Sequence, residues 1–413
     1  AGRDGNREPP MRERERERGE TTDRLERFAF FTPFHTIQKL LVAAIQKQNV
    51  TKAWQEHTMR AELTSSKAIK AVKTVMPATT PHWVGNGFNV YPVFAQLAFT
   101  KALSPWLMFD YAFPQQFDPT KQRLGVGKHP HRGFETVTVA FQGAVEHQDS
   151  TGNNDIIGPG DVQWMTAGRG IIHEEYHSTE FAKTGGIFEM CQLWVNLPKK
   201  HKMHPPRYQP ILDKTVPVVQ LKAAKGGGGD DGGDAAGAGE CAAVGSVRVI
   251  AGELEGVRGP AQTFTPILLW DALLTAAGAV VELDVPAGYN TVVFVRRGAV
   301  SVGAAGAEQH VGAQGVALLH LEGAAIRLRA EAPDTQLLIL GGEPIDEPIA
   351  AQGPFVMCAG PPHLTLPIPR HLSHPPSALG GAYCAVPAST ICRNTQAEIQ
   401  QANHDYRSGK MGR

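Results

Sequence analysis

The sequence predicts an all-β fold made of two β-barrels in tandem. From about residue 84 onward, short runs of β-branched and aromatic residues are cut by glycine turns and helical periodicity is weak, which is typical of β-sandwiches and barrels. A repeat supports the tandem arrangement, because Thr136-Val137 followed by Gly143-Ala144-Val145 recurs as Thr291-Val292 followed by Gly298-Ala299-Val300. All five positions share one offset of 155 residues, as expected for two barrels of similar design.

Residues 1–66 predict an N-terminal extension that is partly helical or disordered. Arg12–Arg18 alternates arginine with glutamate and cannot bury apolar surface, and a short amphipathic helix is expected near residues 35–48. Read from Met11, the segment is too acidic for an organelle transit peptide. A start at Met59 gives a leader with lysines, serines and threonines and a single acid, so organelle import is expected only for that start.

The first barrel is predicted over residues 67–224 and the second over residues 246–357. Between them, residues 225–245 contain a run of Gly, Ala and Asp whose ordering would cost too much backbone entropy, so we expect a surface loop. The strongest strand signals are Thr136–Phe141, Val247–Ala251, Val280–Val285, Thr291–Val295 and Gln336–Leu340.

Residues 358–393 predict a non-native insertion. They are rich in Pro, His, Ser and Ala and show no periodicity. The sequence pattern before them would continue without a break if Met357 were followed directly by Asn394. Residues 394–413 are then expected to form a C-terminal helix, with its clearest signal over Gln396–Tyr406.

Charge, hydropathy and cysteine content exclude several classes of function. Lys+Arg and Asp+Glu both number 40, so there is no basic excess to bind nucleic acid directly. No apolar stretch approaches the length of a membrane span. The five cysteines are odd in number and give no disulfide framework, which favours a reducing compartment.

Two pairs of side chains predict a metal site in the first barrel. His129 and His131 are spaced i, i+2, which on a strand directs both imidazoles to one face. His173 and Glu175 repeat that spacing after the turns Gly158–Asp161 and Gly168–Gly170. Facing each other, the pairs offer three neutral imidazoles and one carboxylate, a set suited to a divalent transition metal with open positions for substrate or oxygen.

Five more residues near these pairs are weighed as ligands. Glu135 could be a ligand, or an acceptor that orients a histidine ring. Glu174 is expected on the solvent side of the strand and His177 at the start of a polar loop, both away from the metal. His201 and His204 have helical or loop spacing, so we expect them at the surface.

Longer motifs around these residues resemble the pirin family of the cupin superfamily. The resemblance covers roughly residues 67–413 apart from the two insertions. Its motifs are His129–Val137, Gly158–Gly170 ending in His173-Glu174-Glu175, Gln192–Pro198, Gly252-Glu253, Gly342–Pro348, Gly353–Met357, Asn394–Ile399 and Asp405-Tyr406.

The resemblance implies a bicupin whose first barrel binds one non-haem iron, Fe(II) or another divalent transition metal, through His129, His131, His173 and Glu175. It also implies two functions: quercetin 2,3-dioxygenase activity on a flavonol-like small molecule, with Glu175 accepting the substrate hydroxyl proton, or redox-sensitive transcription co-regulation through a protein partner. A metal-stabilised scaffold without turnover is the third interpretation. We expect a cytoplasmic or nuclear monomer that acts without nucleic acid or membrane contacts.

The second barrel is expected to lack a metal. Applying the 155-residue offset, His129 corresponds to Asp284, His131 to Pro286 and Glu135 to Asn290. One metal per chain follows from this loss of donors. The residues predicted to fill the interior of the second barrel are Val281, Leu283, Val292, Phe294 and Leu338.

Overall fold

The computed structural model describes residues 68–95, 100–224, 243–358 and 393–412. The predicted N-terminal extension with its helix near residues 35–48, most of the glycine-rich loop and the interior of residues 358–393 lie outside the described residues. Residues 243–245, predicted as the end of the loop, instead begin a strand.

The first barrel consists of two antiparallel sheets. Its helices are α1 (Thr100–Leu103) and α2 (Thr179–Thr184), and Lys199–His201 and Asp213–Thr215 form short 3₁₀ turns. Its strands are β2 (His82–Val84), β3 (Phe88–Phe94), β4 (Trp106–Phe117), β5 (Gly125–His131), β6 (Phe134–Gln142), β7 (Val145–Asp149), β8 (Asn154–Ile157), β9 (Val162–Thr166), β10 (Ile171–His177), β11 (Gly186–Asn196) and β12 (Arg207–Ile211). The larger sheet has the order β12-β9-β6-β11-β4-β3-β2, and the smaller has the order β5-β10-β7-β8.

The second barrel repeats this design, which confirms the all-β tandem fold. Its strands are β13 (Val218–Lys222), β14 (Ala243–Ala251), β15 (Glu253–Leu254), β16 (Val257–Arg258), β17 (Ile267–Leu274), β18 (Val280–Asp284), β19 (Asn290–Arg297), β20 (Val300–Val302), β21 (Gln309–Val311), β22 (Val316–Leu319), β23 (Ala325–Ala330) and β24 (Thr335–Gly342). With the N-terminal strand β1 (Val72–Met76), the sheets have the orders β1-β22-β19-β24-β17-β14-β13 and β18-β23-β20-β21.

The sequence repeat corresponds to one hairpin in each barrel. The strands β6 and β7 meet at Gly143, and β19 and β20 meet at Gly298. Both glycines have a left-handed backbone, with φ of 77° and 80°, which a residue with a Cβ adopts only with strain. The glycine of the recurring Gly-Ala-Val is therefore a turn requirement that both barrels share.

Each end of the described chain pairs with the barrel that is farther from it in sequence. β1 precedes the first barrel in sequence but pairs with β22 of the second. Beyond the second barrel, the hairpin β25 (Ile349–Gln352) and β26 (Phe355–Cys358) and the helix α3 (Arg393–Arg407) follow. That hairpin returns to the first barrel, where the backbone of Arg132 donates to the Pro354 carbonyl and accepts from the Val356 amide.

A buried lysine stabilises each of these two contacts between a chain end and the other barrel. The Lys70 ammonium donates to the carbonyl oxygens of Tyr289, His320 and Leu321 of the second barrel, at 2.7–3.3 Å. The Lys202 ammonium donates to the carbonyl oxygens of Gly133 and Val356 and to Oδ1 of Asn196, at 2.7–3.0 Å. Three oxygen acceptors offset the desolvation of each ammonium.

The largest apolar cluster lies between the barrels, and this corrects part of the predicted core. Val281 and Leu283 fill the second barrel as predicted. Val292, Phe294 and Leu338, however, pack against Phe109, Val137 and Leu193 of the first barrel. The interior positions of the same strands are held by Val293, Val295, Leu337 and Ile339.

None of the helices among the described residues is long and apolar enough to cross a membrane.

Candidate metal centre

Three of the four predicted ligands converge at the β5–β10 pair. His129 lies opposite His173, and His131 lies two residues farther along the same strand. Their ring centroids are 4.2–4.8 Å apart, and one ring nitrogen from each lies within 4.8 Å of the others. The i, i+2 spacing on a strand therefore does bring these imidazoles to one face.

Glu175 lies in a second, overlapping group. One carboxylate oxygen of Glu175 and ring nitrogens of His147 and His173 lie within 4.8 Å of one another. The pairing of β10 with β5 shifts register between His173 and Glu175, an irregularity of the kind that re-aims side chains at active sites. His173 belongs to both groups, so the predicted set forms one continuous cluster of donors.

The carboxylate of Glu175 is oriented by two donors. Oε1 accepts from the Thr138 hydroxyl at 3.3 Å and from the Gln163 amide at 3.2 Å. No hydrogen bond to Oε2 is found among the described residues. The carboxylate is thus held by one oxygen, which leaves the other for a metal or a proton.

His147 and Gln163 are site residues that the sequence analysis missed. The Gln163 amide, which donates to Glu175, also lies 3.1 Å from Nδ1 of His147. Because an amide NH₂ only donates, Nδ1 must be the acceptor and Nε2 must carry the proton that bonds Asp149 at 3.2 Å. His147-x-Asp149 was a third i, i+2 pair available in the sequence, on β7.

Burial favours the neutral form of two histidines of the cluster. It lowers the pKa of His131 and of His173 well below the ordinary value, and the neighbouring His129 lowers both further. Burial acts against ionisation of Asp149, but hydrogen bonds from His147, Asn153 and Thr151 hold its pKa well below the usual range. Neutral imidazoles are the form that binds metal ions.

The unpaired nitrogens of the cluster fit a bound metal. Nδ1 of His131 and both ring nitrogens of His173 are buried without a hydrogen-bond partner among the described residues. His129 instead places Nδ1 at 2.8 Å from the carbonyl of Gly127, which leaves its Nε2 free to bind an ion. Buried polar atoms without partners are rare, and imidazole nitrogens beside a carboxylate are the donors that a divalent transition metal prefers, so this cluster is a candidate metal site.

Glu135 lies outside the cluster. It shares a face of β6 with Val137 and Val139, which pack between the barrels, whereas Thr138 points to the metal side. Its carboxylate accepts from the Thr166 hydroxyl at 2.6 Å, and burial raises its pKa to about 7. It is therefore neither a ligand nor an acceptor for a histidine ring.

Glu174, His177, His201 and His204 also lie outside both donor groups. The expectation that Glu174 is solvated was wrong, since only 9% of it is exposed. His177 is buried rather than in a polar loop, because its ring packs on Phe88 and Phe188 and bonds the Gly87 carbonyl. His201 and His204 are half-buried, and both rings contact Phe264, which is compatible with the surface position expected for them.

The corresponding face of the second barrel is built differently. Asp284 is exposed, and Asn290 donates to the carbonyl of Ser104. Within the described ranges, both groups of donors close enough to hold a metal lie in the first barrel. One metal per chain stays a prediction.

Comparison with known proteins identifies the family. A family model described as Pirin matches residues 87–195, and one described as Pirin C-terminal cupin domain matches residues 269–359. Human pirin is 34% identical over 314 residues, which are 76% of this chain and 84% of that protein. The chain belongs to the pirin family. The resemblance of its motifs to pirins is thereby confirmed, and the two barrels are cupin domains.

Two relatives carry the name of an activity. A Pseudomonas aeruginosa protein provisionally named as a quercetin 2,3-dioxygenase is 48% identical over 289 residues, 70% of this chain and 92% of that protein. The crystal structure of a quercetin 2,3-dioxygenase from Acinetobacter baumannii is 41% identical, with a TM-score of 0.66, and covers 83% of this chain and 98% of that one. This pirin-family chain is thus similar over most of its length to proteins named as quercetin 2,3-dioxygenases.

Proposed function

We propose that this protein is an Fe(II)-dependent dioxygenase that opens flavonol-like substrates, as quercetin 2,3-dioxygenases do. The observation that carries the proposal is the buried cluster in which neutral imidazoles with unpaired nitrogens adjoin a carboxylate held by one oxygen. The similarity to relatives named for quercetin oxidation supports the choice of substrate.

The ligands in this proposal are His129, His131, His173 and Glu175. Three imidazoles and one carboxylate suit Fe(II) and leave positions open for substrate and oxygen. When bound, the metal supplies Lewis acidity toward the substrate hydroxyl and a route for electrons to O₂. His147 is not among the ligands, because its Nδ1 lone pair is occupied by the Gln163 amide.

Glu175 acts as the general base in this reaction. Its Oε1 is held by Thr138 and Gln163, so Oε2 is the oxygen that would bind the metal before substrate enters and that accepts the proton of the substrate hydroxyl once substrate is bound. The Gln163 amide continues to donate after the transfer and keeps the carboxyl group in place. Loss of that proton converts the bound hydroxyl to an electron-rich oxyanion, which is the form that reacts with O₂.

Aromatic side chains frame the site. The ring centroid of Trp194 lies 5.3 Å from that of His131, and the ring centroid of Phe134 lies 5.1 Å from that of His131. Phe134 and Trp194 also contact each other at 4.4 Å. Flat apolar walls beside polar donors are typical of pockets for aromatic ligands.

Oxygen consumption by iron-loaded protein with quercetin tests the proposal. We expect uptake of about one O₂ per quercetin by the wild type, and a loss of at least about 100-fold in kcat for Glu175→Gln. Glu174→Gln is the matched control, because it changes the adjacent carboxylate of the same strand. Stoichiometric iron without oxygen uptake would refute the enzyme and favour the redox-sensitive co-regulator that acts through protein partners.

A further inference from the structure

Inward-facing side chains of the first barrel form layers that the strand register defines. Across β4, β11 and β6, Ala112, Met190 and Ala140 lie opposite one another and belong to an apolar cluster that closes the barrel. At the other end, Met108 lies opposite Trp194, whose ring contacts His131. Barrel interiors stack in such layers because side chains alternate along every strand.

The layer between these two is polar across four strands. Asp110 lies opposite Gln192, Gln192 opposite Thr138, and Thr138 opposite Gln163. Thr138 and Gln163 are the donors to Glu175, so this is the layer of the metal cluster. Gln192 is joined to it as well, because its Oε1 lies 2.5 Å from the Thr138 hydroxyl, whose one proton is shared between Gln192 and Glu175.

Asp110 is the member of this layer that lacks a partner. Its Oδ1 is buried without a hydrogen bond among the described residues, and no cation pairs with it there. Burial raises the pKa of Asp110 to about 7, so much of the carboxyl is protonated near neutral pH. A neutral carboxyl can both donate and accept, and an unpaired one in a barrel interior costs stability.

The layer of Asp110 is less tightly buried than the apolar layer beside it. Met108, Asp110, Gln192 and Trp194 are half-buried, whereas the apolar layer below them is at most 4% exposed. Asp110 and Thr138 are separated by two strand spacings, about 10 Å. A molecule bound to the metal beside Glu175 can therefore extend along the sheet until its far end meets Asp110.

We propose that Asp110 determines substrate specificity by hydrogen bonding a hydroxyl group at the end of the substrate remote from the metal. The inference rests on the proposed flavonol dioxygenase activity and narrows it to flavonols with a hydroxylated pendant ring. The Trp194 and Met108 side chains flank the aromatic body, and Asp110 recognises its polar end. Substrates without that hydroxyl leave the carboxyl unpaired and lose the interaction.

A matched pair of flavonols tests this role. Quercetin carries two hydroxyls on its pendant ring, and galangin is the same flavonol without them. We expect wild-type kcat/KM to favour quercetin by at least about tenfold, the size of one hydrogen bond. Asp110→Leu and the smaller Asp110→Ala should remove this preference by lowering the value for quercetin while leaving galangin within about threefold. Asp110→Asn, which still donates and accepts, should retain most of it.

Controls separate specificity from folding and from turnover. Asp284→Leu removes an exposed aspartate of the second barrel and should keep the preference. Iron content and melting temperature should match the wild type in the variants compared. An equal quercetin preference in wild type, Asp110→Leu and Asp110→Ala overturns the proposal. Absence of oxygen uptake by the wild type refutes the proposed activity instead, and the same preference is then measured as binding by quenching of tryptophan fluorescence, where an unchanged ratio again overturns the role of Asp110.

Discussion

Replacing Gln163 by leucine should weaken metal binding about 10- to 100-fold while the barrel still folds. Gln163 is fully buried, and its amide holds Glu175 at 3.2 Å and His147 at 3.1 Å. Leucine has a similar volume but donates nothing, so Glu175 keeps only the Thr138 hydroxyl, which Gln192 also engages. One lost bond to a charged group is worth about 1.5–3 kcal/mol, which agrees with that range of affinity.

The assay is competition for Fe(II) against a chromogenic chelator under anaerobic conditions. Gln148→Leu is the matched control, since Gln148 lies on the same strand as His147 but outside both donor groups. We expect the control to bind as the wild type does. Affinity within about twofold of wild type for Gln163→Leu, or an equal loss in the control, would refute the orienting role of the amide.

Three further predictions concern stability. Burial raises the pKa of Glu135 from 4.5 to about 7, so between these pH values the folded state binds more protons than the unfolded state. The free energy of unfolding should therefore fall by up to about 3 kcal/mol from pH 4.5 to pH 7. Urea denaturation should show a flatter pH profile for Glu135→Gln than for the wild type, and parallel profiles would contradict this. Lys202→Met leaves three oxygens without the ammonium that donates to them and should lower the free energy of unfolding, measured by urea denaturation, by about 3 kcal/mol. As a control, Lys200→Met at an exposed position should lower it by less than about 0.5 kcal/mol. Cys358 and Arg393, the ends of the predicted insertion, belong to β26 and α3, so the deletion takes residues 359–392. It should leave the melting temperature in calorimetry unchanged or raised, and an unfolded product would show that the segment is structural.

Most of the fold could be predicted because strand alternation and the glycine turns are local signals. The 155-residue repeat marks equivalent hairpins, since both need glycine at a left-handed position. Which face of β19 and β24 points inward could not be predicted, because both faces are apolar. One face fills the second barrel and the other packs on the first, so hydrophobic alternation gives no choice of register.

The site was predictable where its donors share a strand. His129 with His131 and His173 with Glu175 follow from i, i+2 spacing. Gln163 could not be found in this way, because it reaches Glu175 from β9, a strand of the opposite sheet. Glu135 looked like a ligand by proximity in sequence, but the turn between β5 and β6 places it on the outer face of a different sheet.

An anomalous-difference map from crystals grown with iron tests the proposed metal centre most directly. We expect a single peak per chain in the first barrel, bounded by the imidazoles of His129, His131 and His173 and the carboxylate of Glu175. A peak held by His147, His173 and Glu175 without His129 and His131, or a peak in the second barrel, would contradict this assignment.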